Sequence, residues 1–259
     1  MIRPDELRDI EVMAEDVNHK RESFIRVRRL RLRHRYSGEQ YSGAYWFDMI
    51  ESPFVDAVAI VLYHIDREQG VWVGLRRGVR PSIYLRKDNP AKMSLDKGPL
   101  LIYTELVAGG IEYDDLDTIG VKGRAALEVR EEAGFEVNEE DMINLGGGTF
   151  SSPGFGMEKL HYLAVQVEPD TGSEPIGDGH PLEEVGEVKF YKISEAISWC
   201  RLGKIEDSKT EIGLYRLADY LGYHPKLDLW EHELPPELRT RVGTLGLSTD
   251  GARKAGRTG

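Results

Sequence analysis

At residues 127–135 the chain reads LEVREEAGF, which sets Glu128, Glu131 and Glu132 within five positions and follows them with Gly134. Read as a helix that the glycine stops, the stretch puts the three carboxylates at i, i+3 and i+4 on one face. Like charges so placed repel by a few tenths of a kcal/mol per pair. Such a face calls for something positive. By itself E-x-x-E-E on a helix is most often a solvated surface, so its surroundings decide.

Upstream stands ELVAGGIEYDD (105–115), and between the two lies a polar connection running into GRAALEVREEAGFEV (123–137). A strand enters an Ala-Gly-Gly turn, a loop follows, and a helix then delivers its acidic face. This order suits a hard divalent cation. Mg2+ takes octahedral oxygen ligands and commonly uses only one or two carboxylates, with water and substrate phosphate completing the shell. Glu128 and Glu132, four apart, reach a common ion; Glu131, one step round, reaches a second ion or a bridging water. A carbonyl from the turn at Ala108–Gly109 completes the set.

Farther out, the periodicity reads as a mixed α/β (α+β) chain without internal repeats. SFIRVRRLRLRHRY (23–36) alternates apolar and basic residues, with Ile25, Val27, Leu30 and Leu32 inward and a slip at Arg28–Arg29 that a β-bulge would absorb. YWFDMIE (45–51) is a second strand, with Trp46 expected in a core. VDAVAIVLYHID (55–66) and GVWVGLRRG (70–78) form a hairpin, and 80–99, with three prolines, a loop. LLIYTELVAGGIE (100–112) is a strand, 121–133 a helix, 149–159 a loop, 160–168 and 188–194 strands. Helices are expected over 194–205, N-capped by Ser194, and 209–223. The domain plan is an arm and β-extension over 1–50, a catalytic unit over 51–223 and a weakly ordered tail over 224–259.

The 259 residues carry a net charge of -11, which gives no global attraction to nucleic acid or anionic membranes. The basic strand 26–35 is the one local exception, and alternation accounts for it as a solvated face. No segment approaches the apolar length of a membrane span. One cysteine, Cys200, excludes a disulfide framework and a cysteine-rich zinc site. A cytoplasmic protein is expected.

On these residues the sequence resembles the Nudix hydrolases, whose box reads G-x5-E-x7-R-E-U-x-E-E-x-G-U. Glu128 to Phe135 keep the second half of that box. The first half departs: with Gly109 leading, Asp115 stands for the glutamate, about four extra residues precede the helix, and Leu127 replaces the arginine that braces loop against helix. ELVAGGIE resembles the E-L-P-A-G segment of the ADP-ribose and nucleotide-sugar pyrophosphatase branch, and SSPGFGMEK (151–159) its S-P-G-x-x-x-E loop. Residues 179–217 resemble that branch's closing section.

The resemblance implies a Nudix-type α/β/α sandwich with a mixed sheet and an N-terminal antiparallel β-extension that serves dimerisation. It implies hydrolysis of a pyrophosphate in ADP-ribose or an NDP-sugar, with Mg2+ (or Mn2+) held by Glu128, Glu131, Glu132 and the Ala108 carbonyl. Glu158 would lie near the metal, with Glu184 or Glu183 as the catalytic base. Arg77 would hold a phosphate or ribose, and Phe155 would stack a base. Two other readings stand beside it: a Nudix-fold sensor that binds a nucleotide sugar without cleaving it, and an RNA 5′-pyrophosphohydrolase using the Arg26–Arg35 strand.

Overall fold

The computed structural model describes residues 2–15, 24–66, 70–92, 98–177, 182 and 185–242. Strands β1 (Arg26–Leu32) and β2 (Tyr45–Glu51) form an antiparallel ribbon of their own. The main sheet has eight strands: β3 (Asp56–Asp66), β4 (Gly70–Gly78), β5 (Tyr103–Glu105), β6 (Val107–Gly110), β7 (Ile143–Asn144), β8 (Thr149–Phe150), β9 (Lys159–Gln166) and β10 (Gly186–Lys192). A last hairpin joins β11 (Tyr223–His224) to β12 (Leu229–Trp230). The helices are α1 (Pro81–Leu85), α2 (Gly120–Ala133), α3 (Ile193–Arg201), α4 (Ser208–Leu221) and α5 (Pro236–Val242).

β3 reads as a near-continuous apolar run because it lies at the centre of the sheet, covered on both faces. It pairs in parallel with β9 along one edge and antiparallel with β4 and β6 along the other. Its alternation sorts two cores. Ala57, Ala59, Val61 and Tyr63 pack with residues of α3 and α4, while Val58, Ile60 and Leu62 pack with Ala125, Val129 and Ala133 of α2. The result is a three-layer mixed α/β fold, helix over sheet over helix.

One feature of the sheet shapes everything below. β4 pairs with β3 only from Gly70 to Gly74; beyond that the two strands part, and the segment 103–110 enters the fork. Its first half, β5, pairs with β4 and its second half, β6, with β3. At the break the Leu106 N–H donates to Thr210 Oγ1 of α4, a buried donor satisfied across 104 residues. A single strand over 100–112 was the expectation; the fork splits it.

Other expectations are corrected by the surroundings. The β1–β2 register runs one to one from Arg26–Glu51 to Leu32–Tyr45, so no bulge is present. Neither face of that ribbon is a core. Val27 is 71% exposed and Trp46 65% exposed, against the expected burial of both. The 80–99 loop contains α1, which starts with Pro81 at its first position, where a missing N–H costs nothing. Ser194 lies inside α3 rather than capping it, whereas Asp207 caps α4 through the Thr210 N–H.

The arm is docked over its described part: Pro4 is buried, Ile2 bridges to Val185, and Asp9 accepts from Tyr84 Oη. The tail differs from its expectation over 224–242, where β12, α5 and a buried Leu234 continue the fold. Among the described residues no helix is long and apolar enough to cross a membrane.

Candidate functional site

α2 ends as its sequence requires. Gly134 adopts φ 73°, and its N–H and that of Phe135 return to the carbonyls of Arg130 and Val129, a left-handed cap that glycine adopts without strain. The helix is thereby held against β6, and its acidic face meets the fork.

Glu128 is 6% exposed and Glu132 7% exposed, unusual for two carboxylates one turn apart. The Glu128 carboxylate lies directly over Gly109. A side-chain carbon built there would fall inside it, although the Gly109 backbone is in an ordinary conformation. The glycine is therefore required by space, not by φ. Gly109→Ala is expected to push the carboxylate aside while leaving the fold intact. Circular dichroism with a pH titration of the Glu128 carboxyl checks it; an unchanged titration in a folded variant would show that the carboxylate does not lie over Gly109.

Arg124 Nη2 and Nε reach Glu128 Oε1 at 2.7 and 2.9 Å. Burial, with Glu132 beside it, still pushes the Glu128 carboxyl up to about 7 against the pull of Arg124. Burial likewise raises Glu132, which Arg76 Nε faces at 3.5 Å. Glu132 Oε2 accepts the Ala108 N–H at 3.2 Å. Since a strand residue turns its N–H and C=O to the same side, the Ala108 carbonyl also leaves β3 on the Glu132 side. Burial thus raises both carboxyls in spite of the arginines beside them.

Behind them, the fork holds an ionic network. Glu105 is 1% exposed and accepts from Arg80 Nε at 2.6 Å and from Lys209 Nζ at 2.5 Å. Burial alone would raise its carboxyl, but Lys209 and Arg80 outweigh that and hold it below the usual range. Lys209 also reaches Asp207 at 3.1 Å, which ties the network to the start of α4.

Comparison with models of known protein families and with the curated proteins gives no match.

The remaining expected residues scatter. Glu131 is half-buried. Glu158 is exposed and accepts from Ser151 Oγ at 3.0 Å, in the 151–158 loop at the same sheet end as Gly109 and Gly110. Phe155 is half-exposed in that loop, and its carbonyl accepts the Ile50 N–H of β2. Arg77 pairs with Glu187 and Asp5 and, by strand alternation, faces away from the acidic site; its neighbour Arg76 faces it. Glu183 and Glu184 lie outside the described residues. Arg76, Arg80, Arg124, Glu105 and Lys209 were not singled out from the sequence. Only Arg124 carried a local signal, four residues before Glu128.

Among the described residues no three His, Cys, Asp or Glu side chains converge as a ready cation cage, because Arg124 and Arg76 hold the two inner glutamates. The donor set nonetheless suits Mg2+, which needs oxygen only and one or two carboxylates beside water and phosphate.

Proposed function

We propose that the chain is a Nudix-type pyrophosphohydrolase that cleaves ADP-ribose or an NDP-sugar to a nucleoside monophosphate and a sugar phosphate. The observation that carries this reading is the buried pair Glu128 and Glu132, set against Ala108 and Gly109 at the fork. Mg2+ or Mn2+ held by these glutamates, Glu131 and the Ala108 carbonyl would supply neutralisation of the phosphate oxygens and a water of lowered pKa.

The chain's own groups do the rest. Glu128 and Glu132 fix the centre of charge, and Gly109 lets the former approach the backbone. Arg80, whose side chain is less buried than that of its partner Glu105, would meet an incoming phosphate. Arg77, paired with Glu187 and Asp5 on the other face of β4, is left out of the phosphate contacts. The base that takes the water's proton is assigned by the resemblance to Glu184 or Glu183.

A panel of ADP-ribose and common NDP-sugars, with Mg2+ and a coupled phosphatase, tests the reading. One substrate is expected to turn over, and Glu132→Gln to abolish the signal. No turnover, with one panel member still raising the melting temperature, would favour the sensor reading instead, which the arginine-held glutamates also suit.

The exposed β1–β2 ribbon supports a homodimer. A two-stranded ribbon is at best marginally stable alone, and this one displays Val27 and Trp46 to solvent. Sedimentation at micromolar concentration is expected to show a dimer that Trp46→Glu weakens; a wild-type monomer would remove the assignment. The single cysteine fits a reducing, cytoplasmic setting.

A further inference from the structure

We propose that Arg124 is the positioning residue of this site, doing from one helical turn earlier what the box arginine missing at Leu127 does in the resembling enzymes. The inference rests on the pyrophosphohydrolase reading above and concerns the part of the chain that departs most from it.

Residues 124 and 127 are three apart on α2 and so share a face, one turn displaced along the axis. From 124 the guanidinium reaches both things that need joining. On the helix it holds Glu128 Oε1 with two donors, at 2.7 and 2.9 Å, leaving Oε2 for a ligand. On the loop it faces Asp115 Oδ2 at 3.9 Å and Glu112 Oε1 at 3.4 Å. Asp115 is itself buried and accepts the Glu112 N–H at 2.8 Å, so the loop acid is fixed before the arginine arrives.

The extra residues of the loop explain the displacement. Tyr113–Asp117 coil into a 3-10 turn, with the Thr118 hydroxyl returning to the Asp114 carbonyl. This turn brings Asp115 opposite the first half of α2. An arginine at 127 would sit a turn too far along, whereas one at 124 spans Asp115 and Glu128 together. Glu128 is then confined between the guanidinium and the Gly109 backbone. Arg124 touches neither substrate nor reacting atoms; it acts through Glu128.

The test compares wild type, R124L, R124K, L127R and the transplant R124L/L127R. The readouts are Mn2+ binding by titration calorimetry without substrate, kcat and KM on the substrate found by the panel, and amide exchange across 112–118. Loss of a group that orients a metal ligand costs 10- to 100-fold in affinity or activity. R124L is therefore expected to weaken Mn2+ by about that factor, lower kcat more than KM, and speed exchange in the turn. R124K, a point charge without the planar fork, is expected to recover only part. The transplant is expected to fall short of wild type, since 127 is out of register with Asp115.

Equal or tighter Mn2+ binding in a folded R124L would overturn the proposal and make Arg124 a competitor for the carboxylate. Full recovery in R124L/L127R would overturn the register argument. A wild type that neither binds Mn2+ nor turns over any panel member would remove the enzymatic reading itself, a failure distinct from both.

Discussion

Glu128→Gln is expected to cut turnover, on the proposed hydrolase reading, by roughly 10²- to 10³-fold, the scale of removing one preorganised electrostatic group, and to flatten the pH dependence of the metal-free protein's stability between 5 and 8. The second effect follows from the raised carboxyl. A group of folded pKa about 7 and ordinary value 4.5 keeps its proton longer in the folded state than in the unfolded one. Stability is then highest below pH 4.5 as far as this group is concerned, and is lost as pH rises to about 7. At about 1.4 kcal/mol per pKa unit the full span amounts to about 3 kcal/mol. Glutamine mimics the protonated form and removes this group's share of the slope.

Melting curves in EDTA at several pH values check this. The wild type should lose several degrees between pH 5 and 8, since a kcal/mol shifts a chain of this size by roughly 2–4 °C. Glu132, whose carboxyl is raised in the same direction, leaves part of the slope in the variant. Parallel, flat curves for both proteins would show that the carboxylates are not buried as described.

Glu105→Ala is expected to cost about 3–5 kcal/mol, the penalty for breaking a buried ion pair by removing one partner. Lys209, with 14% of its side chain exposed, would keep its charge with only Asp207 to answer it. Arg80 is better placed to turn toward water. Replacing both partners, as in Glu105→Met with Lys209→Met, should restore much of the loss, because a well-packed apolar pair escapes the desolvation cost. Urea denaturation of the three proteins decides it. A single-variant cost below about 1 kcal/mol, as for a surface pair, would mean that water reaches the fork.

Several parts of the fold were legible residue by residue. The run VDAVAIVLYHID reads as a strongly apolar strand, and its hairpin partner GVWVGLRRG follows across a short turn. The helix 121–133 and its stop at Gly134 were equally plain, because periodicity and a glycine in the left-handed cap are local properties. The close approach of Glu128 and Glu132 to Ala108 and Gly109 was legible too, although the Ala-Gly-Gly turn expected there is strand β6.

Other features had no local signature. LLIYTELVAGGIE reads as one strand because nothing in it shows that β3 and β4 part and claim a half each. Arg77 rather than Arg76 drew notice, since adjacent arginines differ only in which face of β4 they take. The ribbon 26–51 alternates like a half-buried sheet, yet among the described residues nothing buries Val27 and Trp46. The tail after 224 lacks periodicity because its few anchors, Trp230 and Leu234, pack singly against the body.

By itself the sequence determined the elements, the class of fold, and the helix face on which acids gather, all consequences of spacing along the chain. Only the tertiary structure decided how those acids are balanced. Glu132 meets Arg76 across 56 positions and Glu105 meets Lys209 across 104, distances that no helical or strand period spans. The charge of a buried group is set by what folds against it, and here that is the fork of the sheet.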